Sequence, residues 1–155
     1  MIDPYKLGPF EPLHIDMVNR MIGTVESGWC QTHLAMDDDN NPVRFSDPRA
    51  VKCCLLGAAF KAEWSHFGNT VCLDRNPVYE LLRVLAGIRM GGWDHRYIPN
   101  RVIEIWNDQE GRKKEDVLEL LAEALVIVKG NQRALPAQIV DILSNAKSVE
   151  VLEPV

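Results

Sequence analysis

Residues 53–60 read CCLLGAAF, a stretch with no charged or strongly polar side chain. Such a run has no face to offer water, so it must be covered on nearly every side. It is also far short of the ~20 residues that cross a bilayer, so its covering has to come from the rest of the chain. Just before it, Asp47-Pro48 has the form of a helix start. An aspartate can accept from the free N–H groups of a first turn, and proline suits the first helical position. The sequence therefore predicts one central helix from Pro48 through VKCCLLGAAFKAEW, with Gly57 allowing close approach by a neighbouring helix.

Other segments carry apolar stripes at helical spacing. Leu13 to Val25 places Met17, Val18, Met21, Ile22 and Val25 on one side, with His14 at the edge as a partly buried histidine and Gly28 as a stop. Asn76-Pro77 repeats the cap-then-proline start before Val78, Leu81, Leu82, Leu85 and Ile88, and Gly91-Gly92 ends that stripe. Pro99 opens a segment with Val102, Ile105 and Trp106 together. A fifth helix runs from about Glu115 to Gly130, and a sixth starts at Pro136 with Ile139, Ile142 and Leu143.

Only two regions depart from this period. CQTHLAM and PVRF flank DDDNN, which suits a small hairpin over residues ~30–45. A calcium loop there fails, because Pro42 stands where the loop needs glycine and Pro48 where it needs glutamate. The tail VEVLEPV alternates and can add an edge strand. The expectation is a mainly α single domain over 1–155, with about six helices and a small β element. Net charge is −5, which argues against phosphate backbones and anionic lipid as partners. The N-terminus lacks a basic start and an apolar run of signal-peptide length, so a cytoplasmic protein with reduced thiols is expected.

Three stretches together resemble a known family: GWCQ at 28–31, DPRAVKCCLLGA at 47–58 and IWNDQEGRKKEDVLELL at 105–121. It is a bacterial and bacteriophage family catalogued only as a domain of unknown function. Its members have a Gly-Trp-Cys-Gln element, a central Cys-x-x-Gly-Ala helix and a Trp-Asn-Asp turn before an amphipathic helix. The resemblance spans roughly residues 11–128 and brings no activity with it. It implies that Cys54 matches the family's central cysteine and that Cys53 is an addition. Lys113 stands where relatives have Thr or Ser, three residues before Asp116. Lysine cannot accept the capping bond, so Asp108, a water or a shifted start must serve this helix.

Four chemistries are open to these residues. Cys30 is a candidate nucleophile with His33, or with His66 or His95 brought up by the fold and oriented by Asn107 or Asp108. On a strand, however, residues 30 and 33 would project to opposite faces. A metal site could draw on Cys30, His33, Cys53, Cys54, His66 and Cys72, but only one short ligand spacing is present, so no metal or cofactor is expected. GRKK at 111–114 and Arg89, Arg96 and Arg101 lack the interleaved aromatics that nucleic acid would stack on. Trp29, Trp93 and Trp106 adjoin glycine or polar turns, where an indole can be half buried and half presented.

The reading that follows is an accessory protein of phage or mobile-element origin that binds a protein or a small polar ligand. A cysteine-dependent hydrolase or transferase using Cys30 and a histidine is the alternative. Trp29 and Cys30 are expected to face inward near Cys54. The two Trp-containing turns are expected to meet, so that Gln31, Asn107, Asp108 and Arg112 line a polar groove. The binding residues on this reading are Trp29, Gln31, Trp106, Asn107, Asp108 and Arg112.

Overall fold

The computed structural model describes residues 2–67, 76–92 and 98–134. Cys72, Trp93, His95, Arg96, the Pro136 segment and the C-terminal tail lie outside the described residues, as does the side chain of His66. Within them are five α-helices and a three-stranded antiparallel sheet.

Helix α1 (Pro12–Ser27) starts on proline, and His14 completes the start. Its Nδ1 accepts the Glu11 N–H at 2.9 Å, satisfying a group that the helix itself cannot. His14 is thereby buried, and Met17, Val18, Met21 and Val25 are buried along the same helix. The helix stops at Gly28, where a side chain would not fit, since a Cβ would lie 2.3 Å from the Val51 carbonyl oxygen.

Strands β1 (Ala35–Met36) and β2 (Pro42–Val43) form the expected hairpin, shorter than the alternation implied. Its turn is held by the Asp37 carboxylate, which accepts the N–H groups of Asp39 and Asn41, both at 2.9 Å. The third strand, β3 (Lys52–Cys53), is a correction to the helix expected from Pro48. Asp47 does accept a backbone N–H, that of Arg49 at 2.8 Å, but the Ala50 N–H returns to the Asp47 carbonyl and closes a single turn. The chain then extends. Lys52 pairs with Met36 and Cys53 with Ala35, giving the order β2-β1-β3.

Helix α2 (Leu55–Phe67) therefore begins inside the uncharged run. Leu55, Leu56, Ala58, Ala59 and Ala62 are buried at the centre of the core, as that run required. The close approach at Gly57 comes from the backbone of Leu34 instead of a helix: a Cβ would sit 1.9 Å from its carbonyl oxygen. Glu63 is also fully buried on α2, and accepts a bond from the Asn76 amide at 2.7 Å.

Helix α3 (Pro77–Arg89) has the Asn76 cap, with Asn76 Oδ1 accepting the Val78 N–H at 3.0 Å. Val78, Leu81, Leu82 and Leu85 are buried, while Ile88, placed on the stripe by spacing, is exposed near the helix end. In α4 (Pro99–Asn107) Val102, Ile103, Trp106 and the polar Asn107 are buried, with Ile105 only partly covered. Helix α5 (Lys114–Gly130) buries Val117, Leu120, Leu121, Ala124, Ile127 and Val128. The Asp116 N–H, which a Thr or Ser at 113 would cap, bonds the Lys113 backbone carbonyl at 3.0 Å, and Asp116 Oδ2 accepts the Lys113 N–H at 2.9 Å, so Asp108 is not needed there. Among the described residues no helix is long and apolar enough to cross a membrane.

Candidate functional site

The C-terminal end of α4 leaves carbonyls with no partner inside the helix, and the α2 start leaves free N–H groups. Asn107, fully buried, joins the two ends. Its Oδ1 accepts the Leu55 N–H at 3.0 Å and the Trp29 indole N–H at 2.8 Å. Its Nδ2 donates to the Cys30 carbonyl at 3.2 Å and to Asp108 Oδ1 at 2.9 Å. Two donors on the oxygen and two acceptors on the nitrogen leave the amide only one sensible orientation.

The remaining carbonyls are closed by the other residues singled out in the sequence. Gln31 Nε2 donates to the Asn107 carbonyl at 2.9 Å and to that of Gln109 at 3.0 Å. Arg112 Nε donates to the Trp106 carbonyl at 2.9 Å, and its guanidinium lies 4.2 Å over the Trp106 ring. The structure thus brings Trp29, Gln31, Trp106, Asn107, Asp108 and Arg112 together. Trp106 and Asn107 are sealed inside, Trp29, Gln31 and Arg112 are partly covered, and Asp108 is exposed.

On the outer side of this junction lies a cleft of about 160 Å³, lined by Thr32, His33, Leu34, Cys54, Arg101, Glu104 and Asp108. Of the six expected binding residues, only Asp108 reaches it. Thr32 sits on its rim at φ +70°, in the left-handed region that a β-branched residue seldom adopts. Asp108 Oδ1 holds it there by accepting the Thr32 N–H at 2.9 Å. Arg101 and Glu104 form an ion pair at 3.5 Å. Thr32 and Glu104 were missed in the sequence, and Arg101 was weighed only for nucleic acid. For Arg101 and Glu104 the signal was the helical interval of 101, 104 and 108, which puts three polar groups on one side of α4, and Thr32 had no such local signal.

A wider depression of about 640 Å³ lies between α1 and α2. Its cations are already engaged, Arg20 with Asp16 at 2.9 Å and Lys61 with the Ala50 carbonyl at 3.1 Å. None of the expected site residues lines it.

Cys30 is buried beside Cys53 and Cys54, and its thiol meets the His33 carbonyl at 3.4 Å, not the imidazole. Residues 31–34 form a bend and not a strand, which is why that carbonyl can turn back. Burial, helped by the neighbouring thiol of Cys53, pushes the Cys30 pKa up to about 11. For Cys54, burial pushes it to about 12 against the Gly57 N–H, which meets the sulfur at 3.3 Å. A reactive thiolate needs the opposite environment. Iodoacetamide at neutral pH is therefore expected to label Cys30, Cys53 and Cys54 at least about tenfold more slowly than a free thiol. The protonated thiols favour the folded state fully below an ordinary thiol pKa of about 8.5, and this contribution is lost as pH rises towards 11–12. Rapid labelling of the folded chain at pH 7 would contradict the assignment. Among the described residues, no three His, Cys, Asp or Glu side chains are placed to hold a metal ion.

A sequence profile for a family of unknown function, DUF6197, matches residues 14–125, from within α1 to within α5. The chain belongs to the DUF6197 family. The matched region contains the Asn107 junction and every residue lining the cleft, so both lie within the DUF6197 domain and outside its flanks. No curated protein and no solved structure matches the chain.

Proposed function

We propose that this DUF6197 protein is a cytoplasmic accessory protein that binds a protein partner or a small polar ligand at the cleft beside Thr32. The observation that carries this reading is Thr32 itself. A β-branched residue in the left-handed region costs about 1–3 kcal/mol, and such residues gather where a ligand needs them. Asp108 and His33 are the contacting groups in this scheme, with Thr32 at the rim. Trp29, Gln31, Trp106, Asn107 and Arg112 act behind them by fixing the position of Asp108. An accessory role in a phage or mobile element is supported by the likeness to a bacterial and bacteriophage family.

The competing reading, a hydrolase or transferase using Cys30, is opposed by the buried, protonated thiol. The test is an NMR titration of the full chain with a set of small polar fragments, charged and neutral. Saturable shifts of the Thr32, His33, Arg101 and Asp108 amides are expected with at least one fragment. Shifts that never map to the cleft would remove it as the binding site.

Thr32→Asn supplies a second check, because asparagine tolerates the left-handed region. It is expected to raise stability by about 1 kcal/mol in urea unfolding and to weaken fragment binding. A stability loss would show that Thr32 is not strained.

A further inference from the structure

We infer that the group anchored in the cleft is a compact organic cation, an ammonium or guanidinium head. This rests on the reading of the cleft as a ligand site. The walls of the cleft decide between the possible classes.

The backbone donors that would hold an anion beneath the cleft are taken. The first N–H of α2, on Leu55, is taken by Asn107, and the Gly57 N–H is taken by the Cys54 sulfur. The helix N-terminus beneath the cleft, which would otherwise attract an anion, is therefore closed. Arg101, the one fixed cation on the wall, has its charge balanced by Glu104 at 3.5 Å, and the His33 imidazole is the other side-chain donor in the lining. A metal ion finds no set of three ligands among the described residues.

Asp108 gives the positive side of the argument. It is exposed, and its Oδ1 is occupied by two neutral donors, the Thr32 N–H and the Asn107 amide. It makes no ion pair among the described residues. The lining carries two carboxylates, Glu104 and Asp108, against the single guanidinium of Arg101, so a negative charge is left over. The uncompensated field of Asp108 also contributes to holding the Cys30 and Cys54 thiols protonated.

Thr32 adds to this. Its hydroxyl proton goes to the Gln31 carbonyl at 2.6 Å, which leaves its oxygen as an acceptor towards the cleft. Leu34 and Cys54 give apolar contact for the methylenes that carry an ammonium. The volume, about 160 Å³, is on the order of that of a cavity that takes up one small organic group. That suits a charged head with a short stem.

Such a head can come from a basic side chain of a polypeptide or from a free amine, and the probes separate them. The full chain is titrated with N-acetyl-lysine amide, N-acetyl-arginine amide and putrescine, with N-acetyl-norleucine amide and N-acetyl-glutamate amide as neutral and anionic comparators. The readout is the His33 ring resonances and the Thr32 and Asp108 amides. Saturable shifts are expected with the cationic probes, at least about tenfold weaker with the comparators, and weakened by salt. Stronger binding of the capped residues than of putrescine indicates a polypeptide source, and the reverse order a free amine.

Asp108→Asn keeps an oxygen for Thr32 and Asn107 while removing the charge, and should cost about tenfold in affinity for the cationic probes. Glu104→Gln repeats the test if circular dichroism shows that Asp108→Asn does not fold. Equal or stronger binding of the neutral or anionic comparator at the same resonances overturns the cation inference and leaves the cleft as a binding site. No shift there with any probe overturns the cation inference, and silence across the fragment set as well removes the site.

Discussion

Asn107→Ala is expected to lower the unfolding free energy by about 4 kcal/mol, near the upper limit for a single substitution. The side chain removed serves four groups on three separate segments: the Trp29 indole, the Leu55 N–H, the Cys30 carbonyl and Asp108. Asn107 is fully buried, so the Leu55 N–H and the Cys30 carbonyl lose their partner where water does not replace it, while the half-covered Trp29 indole and the exposed Asp108 are partly compensated by water. Each buried group left unsatisfied costs about 1–3 kcal/mol, and shared desolvation makes the total smaller than a plain sum. Urea unfolding followed by circular dichroism measures the loss, and tryptophan fluorescence reports the released Trp29 indole. A change under about 1 kcal/mol would mean that water reaches the junction and that Asn107 does not hold it together.

Gly57→Ala is expected to cost about 3 kcal/mol, although alanine is the better helix former. In an open helix the exchange would gain up to about 1 kcal/mol. Here the new Cβ would lie 1.9 Å from the Leu34 carbonyl oxygen. That oxygen cannot swing away freely, because it accepts the Cys54 N–H at 3.2 Å just before α2. The strain of overpacking, about 1–3 kcal/mol or more, adds to a weakened hydrogen bond of about 1 kcal/mol. Since Leu34 and Cys54 both line the cleft, the same variant should also disturb ligand binding. Gly23→Ala is the control, because a Cβ there meets nothing within 4 Å. It should be neutral or mildly stabilising, and equal effects at both glycines would contradict the packing argument.

The helices were legible because their evidence is local. Proline at the starts of α3 and α4, the Asn76 cap and the recurrence of apolar residues all act within one or two turns of chain. The uncharged run 53–60 implied a central position, and its residues are in the core. The Asp47-Pro48 signal misled for a physical reason. An aspartate accepting the N–H two residues ahead begins a helix and closes an isolated turn with the same bond. Which follows depends on the next residues, and here Lys52 and Cys53 gain a partner strand in β1.

At the site, the sequence by itself determined the parts: a Trp-Cys-Gln turn, a Trp-Asn-Asp helix end and an arginine shortly after it. Gln31 and Arg112, expected to line a groove, instead donate to the last carbonyls of α4, a task that depends on which carbonyls the fold brings to them. Only the tertiary structure decided that Asn107 faces inward to Leu55 while its neighbour Asp108 faces outward to Thr32. Adjacent residues at a helix end point in different directions, and which one is buried is set by what packs there. The cleft belongs wholly to that second kind of information. Thr32 and His33 lie far along the chain from Arg101, Glu104 and Asp108, and no local period links them. Their meeting follows from the bonds that Asn107 and Gln31 make between the two segments, which exist only once the core beneath them has formed.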